Sequence, residues 1–231
     1  MVQPEDLLKS LSLTDPNVFE TFRSALHKAL RNFARHPVVV GFKSVVCYRT
    51  GLNVNLNCAD LSSIEGAIVA AVSSWKEQVG GPVVFRLANK SLNDFVVCTA
   101  LSIAAEFKKP SEYRFLLPVT TNLKKNSCPV QFHTGLGDPD LILTLSSPTH
   151  MQPIIEAYPN VTFILLHGSY PYSRDVGYLA STYKNVYVDF GEVFPVLSRH
   201  GQCSVVKQLL EMTPFSKIMW SSKRLFAFTG I

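Results

Sequence analysis

The 231-residue chain has no uninterrupted apolar run approaching the roughly 18 residues of a membrane span, so a transmembrane helix and a membrane partner are excluded. It also lacks any Cys-x-x-Cys pair. Cys47, Cys58, Cys98, Cys128 and Cys203 are odd in number and widely spaced, which indicates neither a disulfide framework nor a zinc knuckle; they read as reduced core residues. No Gly/Ser-rich linker, internal repeat or low-complexity tract divides the chain, and a single domain over residues 1–231 is expected. Charge of one sign is not concentrated either. Lys and Arg number 22 against 17 Asp and Glu, but the bases are scattered. Arg23, Lys28, Arg31 and Arg35 suit the wet face of one helix, and no nucleic-acid partner is expected. The start, MVQPEDLLKS, carries two acids where a secretory signal has a basic region and an apolar core, so the expected location is cytoplasmic.

What is present is apolar sequence in regular portions: 47% hydrophobic residues against 17% charged, the balance of a packed fold. Asp15-Pro16 is a helix-start signal, and Phe19, Phe22, Leu26, Leu30 and Phe33 recur at helical spacing until His36-Pro37. The run from Val38 to Tyr48 is continuous and β-rich, as in a strand buried on both faces of a parallel sheet. Ser62 and Glu65 form a capping box before Ile68, Val72, Trp75 and Val79, and a further helix is predicted over 92–107. From residue 129 short strands (PVQFH, VTFILLH, VYVDF, SKIMWSS) alternate with helices ending near Tyr158, over 173–183 and over 205–212, the rhythm of β-α-β units. Residues 111–127 break that rhythm and read as a surface insertion.

His133 and His167 each end an apolar strand and stand one β-α unit apart. Neighbouring parallel strands lie about 4.8 Å apart, so both imidazoles could face one ion or could be hydrogen-bonded structural residues. His27, His36, His150 and His200 fall in helices or loops and read as surface residues.

The runs GFKSVVCYRTGL (41–52), PVQFHTGLGDPDL (129–141), VTFILLHGSYPYSRDVGYLA (161–180) and NVYVDFGEVFPVLSRHGQ (185–202) resemble the amidohydrolase-related family. They are similar to its FluG- and nodulin-like branch, in which the domain is fused to a type-I glutamine synthetase. The resemblance implies a TIM-type (β/α)₈ barrel whose strand-end ligands hold one or two divalent ions, usually zinc. Those ions activate water for hydrolysis or support decarboxylation. It places the fifth- and sixth-strand metal ligands on His133 and His167.

Three departures accompany the resemblance. The family's opening His-x-His strand has no counterpart before Phe19, so a partial barrel lacking its opening strands, truncated at both ends, is expected. Trp220-Ser221-Ser222 is followed by Lys223-Arg224 where the family has Asp-Gly-His, so a cation stands in place of the general base. The segment 111–127 interrupts a passage that the family makes almost directly. Lys43 could be a carboxylated bridge between metal ions, or an interior lysine paired with a carboxylate such as Asp189. Arg49 and Arg86 could grip a substrate carboxylate, or form ordinary ion pairs. Asp138 and Asp140 suit helix capping.

The sequence thus predicts an α/β metal-dependent hydrolase domain acting on a small amide or carboxylate, impaired as this chain stands. The alternatives are a non-catalytic binding or regulatory module related to glutamine synthetase fusions, and a truncated product without function. The expected partners are a small-molecule substrate and, optionally, a second copy of the chain.

Overall fold

A computed structural model of the chain describes residues 4–12, 14–57, 61–77, 86–107, 128–220 and 229–230. The helices are α1 (Pro4–Lys9), α2 (Val18–Arg35), α3 (Leu61–Glu77), α4 (Lys90–Glu106), α5 (Gln152–Ala157), α6 (Ser173–Thr182) and α7 (Arg199–Met212). The strands are β1 (Phe42–Ser44), β2 (Val130–Phe132), β3 (Phe163–Leu165), β4 (Val186–Asp189), β5 (Ile218–Met219) and β6 (Thr229–Gly230).

All pairings are parallel, in the order β5-β4-β3-β2-β1-β6. Among the described residues six strands form an open sheet with helices packed on it, the parallel sheet that the alternating pattern predicts and the partial barrel that the resemblance implies. One pairing falls outside that prediction: β6, from the end of the chain, adds to the free side of β1. An unpaired edge presents a row of backbone donors and acceptors, and β6 satisfies part of it.

Local chemistry explains the elements. In α2 the apolar spacing buries Phe19, Phe22, Leu26 and Leu30 in one continuous core with α3, α4 and the sheet. Its start lies later than Asp15-Pro16 suggests. The Asp15 carboxylate accepts the Asn17 N–H at 2.8 Å and the Thr21 hydroxyl at 2.6 Å, supporting the first turn from outside it. In α4 the Asn89 side chain accepts the Leu92 N–H at 3.0 Å. The apolar run 38–48 is a strand only at β1; Val38 is 65% exposed, and Val46–Tyr48 winds into a single 3₁₀ turn. That turn swings Tyr48 over the end of the neighbouring strand.

Phe42, Ser44, Val130, Phe132, Phe163, Leu165, Val186 and Val188 are wholly buried and flank the central positions of their strands. The alternate positions, Lys43, Gln131, Ile164 and Tyr187, lie in register across the sheet and form the opposite face. No helix among the described residues is long and apolar enough to cross a membrane. The insertion predicted at 111–127 and the Lys223-Arg224 pair lie outside the described residues.

Candidate functional site

Parallel pairing brings every strand end to the same rim. Phe132 is in register with Leu165, and the ladder runs on through His133 N–H to the Ser44 carbonyl (3.0 Å) and Leu166 N–H to the Phe132 carbonyl (3.0 Å). His133 and His167 therefore emerge side by side. Their ring centroids are 4.4 Å apart and His133 Nδ1 lies 3.1 Å from His167 Nε2.

The outer nitrogens assign the protons. His133 Nε2 faces the Leu136 carbonyl at 2.9 Å, so it carries hydrogen and donates; the Tyr48 hydroxyl lies 3.0 Å from the same atom. His167 Nδ1 faces the Gly191 carbonyl at 3.4 Å and the Glu192 carboxylate at 3.8 Å, both acceptors, and so carries hydrogen too. The inner nitrogens are then two lone pairs converging at 3.1 Å, an arrangement that a proton or a metal cation between them relieves. Two ligand nitrogens on one tetrahedral zinc stand about 3.3 Å apart. Burial foremost, and then the neighbouring His167, push the His133 pKa down to about 4, so its imidazole is neutral, the form that ligates metal.

The backbone at His167 is held in an unusual shape. His167, Gly168 and Ser169 all have left-handed φ values (63°, 52° and 50°), a conformation disfavoured for His and Ser and sustained only where surrounding bonds impose it. Here the bonds are buried hydroxyls. Thr134 Oγ1 donates to the Leu166 carbonyl at 2.7 Å and lies 2.7 Å from Ser169 Oγ, fastening the turn after β3 to the turn after β2.

The histidines open into a cavity of about 1040 Å³ that Lys43, Tyr48, Arg49, Arg86, Glu192 and Trp220 help to line. The structure thus brings Lys43, Arg49 and Arg86 to the same cavity as the pair. Arg86 is ion-paired with Asp140, and Arg49 Nε lies 4.0 Å from Glu5 Oε1. Among the described residues no ion pair joins Lys43 to Asp189, whose carboxylate accepts the Gly191 N–H at 2.7 Å. Asp140 meets Arg86 rather than capping a helix.

Tyr48 and Glu192 were not singled out by the sequence. Tyr48 was legible as a residue just past the end of a strand, on the rim that parallel pairing makes common. Glu192 depends on a left-handed turn (φ 64°) that its side chain does not advertise. Among the described residues no third His, Cys, Asp or Glu joins the pair as a metal-ligating group, so the residues present fit two positions of a metal shell.

Comparison with known proteins identifies the family. The Amidohydrolase family model matches residues 95–223, more than half of the chain. The protein fluG of Emericella nidulans is 39% identical over 208 residues, which are 89% of this chain and 22% of that protein. A crystal structure from Lactobacillus casei, described provisionally as a metal-dependent hydrolase, superposes with a TM-score of 0.68 at 26% identity. The superposition covers 98% of this chain and 50% of that one. The matched segment runs through β2 to β5 and includes both histidines, and the chain belongs to the amidohydrolase family.

Proposed function

We propose that His133 Nδ1 and His167 Nε2 are ligands for a divalent metal, zinc, in a hydrolase domain for a small amide or carboxylate, and that turnover is impaired in this chain. The observation that carries the reading is the pair of converging lone pairs 3.1 Å apart, with each outer nitrogen turned toward a backbone carbonyl. A bound divalent ion supplies Lewis acidity and lowers the pKa of water toward about 7. The protein's own part is positional. The Leu136 carbonyl fixes the His133 tautomer, the Thr134 and Ser169 hydroxyls hold the His167 turn, and the aromatic wall at Trp220 shields one side of the cavity.

Impairment follows from counting donors. Catalytic zinc sites normally provide three protein ligands, whereas two converge among the described residues, and the sequence after Trp220 offers Lys223 where a carboxylate base belongs. A cytoplasmic setting suits the free thiols of Cys47, Cys98, Cys128 and Cys203. The two-donor site also favours a second reading, a non-catalytic binding module of a longer, glutamine synthetase-linked polypeptide.

Elemental analysis after dialysis tests the proposal. Less than one zinc per chain is expected, reduced further in His133→Ala and in His167→Ala, with no hydrolysis of small amides above background. Zinc content unchanged in both variants would refute the ligand assignment. One tightly held ion per chain, together with turnover, would refute impairment. Finding that a neutral amide or carboxylate binds without turnover would select the second reading.

A further inference from the structure

Among the described residues Lys43 is a cavity charge that no acid meets at ion-pair distance. Lys43, Arg49 and Arg86 bring positive charge to its wall, and the two arginines already face Glu5 and Asp140. Lys43 is half-buried in the middle of β1 and has no ion-pair or hydrogen-bond partner for its ammonium among the described residues. In register with Gln131, it lies two positions below His133 on the same face of the sheet. It is close enough for its charge to oppose protonation of His133. An ammonium drawn partly out of water without a counter-charge is a standing cost, and an anion placed against it removes that cost.

The cavity wall beyond β5 is of different chemistry. Trp220 meets Phe190 and Phe194 edge-on at centroid distances of 5.0 and 4.9 Å, and Pro195 and Val196 continue the apolar surface into the cavity. Trp220 is 50% exposed, leaving ring area open to a ligand. Asp138, Asp140 and Glu192 also line the cavity and oppose a second negative charge on any occupant.

We infer that Lys43 is the anion anchor of this cavity, holding the carboxylate of a small monocarboxylic acid whose apolar body lies against Trp220 and Phe194. The inference rests on the reading of the same cavity as a substrate site. It moves charge recognition from the two arginines, which already face carboxylates, to the lysine, and it requires no metal for the anion to bind.

The test uses the whole chain with Trp75→Phe as parent, so that Trp220 alone reports by fluorescence, titrated with benzoate and with uncharged, isosteric benzamide in the presence of a chelator. Saturable binding of benzoate is expected, weakened about 10-fold or more in Lys43→Met and restored to within about 3-fold of the parent in Lys43→Arg, as for loss and replacement of one charge-assisted hydrogen bond. Benzamide is expected to bind all three proteins alike. Equal benzoate affinity in parent and Lys43→Met, no saturable benzoate binding, or loss in Arg86→Gln with retention in Lys43→Met would each overturn the inference. Circular dichroism of each variant separates lost binding from lost folding. Because the titration is metal-free, failure of the zinc assignment leaves these outcomes unchanged, and their failure leaves the zinc analysis standing.

Discussion

Gly135 is the point at which the two histidine-bearing loops touch, and Gly135→Ala tests whether that touch builds the site. Its φ is +71°, where an alanine side chain costs about 1–2 kcal/mol. A Cβ there would stand 2.4 Å from the Ser169 carbonyl carbon, 2.4 Å from the Tyr170 oxygen and 2.6 Å from the Ser169 oxygen. These are backbone atoms, so no side chain can swing aside. Reaching an ordinary contact requires the loops to part by about 1 Å, which breaks the 2.7 Å bond from Leu136 N–H to the Tyr170 carbonyl and leaves buried groups unmet, about 1–3 kcal/mol more. The total is about 2–5 kcal/mol, and for a chain of this size the melting temperature should fall by about 10 °C. The control is Gly66→Ala on α3, where nothing lies within 4 Å; it should raise stability by up to about 1 kcal/mol. Thermal melts followed by circular dichroism read both. A Gly135→Ala protein melting within about 2 °C of wild type would refute the reasoning, because the loops would then have room that the geometry denies them.

Acid should destabilise the metal-free protein through His133. The unfolded chain binds its proton near 6.5 and the folded chain only at about 4, so between those values the unfolded state holds more protons and stability falls as pH drops, by about 3 kcal/mol in all. Denaturant unfolding at several pH values should show that slope in wild type and lose it in His133→Gln; equal slopes would count against it. Thr134→Val removes the hydroxyl shared by Leu166 and Ser169 and should cost about 1–3 kcal/mol and weaken zinc retention, whereas Thr134→Ser should keep both. Lys217 donates to the Ala180 and Tyr183 carbonyls at 2.6 Å each, closing the end of α6, so Lys217→Met should lower stability by about 2 kcal/mol in the same melts. In Gly137→Ala the new Cβ would fall 2.1 Å from the Tyr48 hydroxyl, a side-chain tip that can retreat. The expected loss is therefore milder than at Gly135, about 1 kcal/mol, and should vanish in a Tyr48→Ala background.

The period of the apolar residues by itself determined the class of fold. Burial on both faces makes a parallel strand read as a short apolar run, as in VTFILLH and VYVDF, and amphipathic helices such as α2 announce themselves by spacing. Because all such strands point one way, the sequence also placed His133 and His167 on a common rim. Boundaries were less legible. The run 38–48 is uniformly apolar, yet only β1 pairs as strand, since hydrogen bonding to β2 and not hydrophobicity decides where a strand stops. Only the tertiary structure decided the proton positions on the two imidazoles, because these depend on the carbonyls of Leu136 and Gly191, which every residue carries. It alone brought Tyr48, 85 residues away, to His133 and set Arg86 against Asp140. It alone left Lys43 on the cavity wall with no ion-pair partner among the described residues, for such pairings are fixed by distances across the sheet that local sequence does not encode.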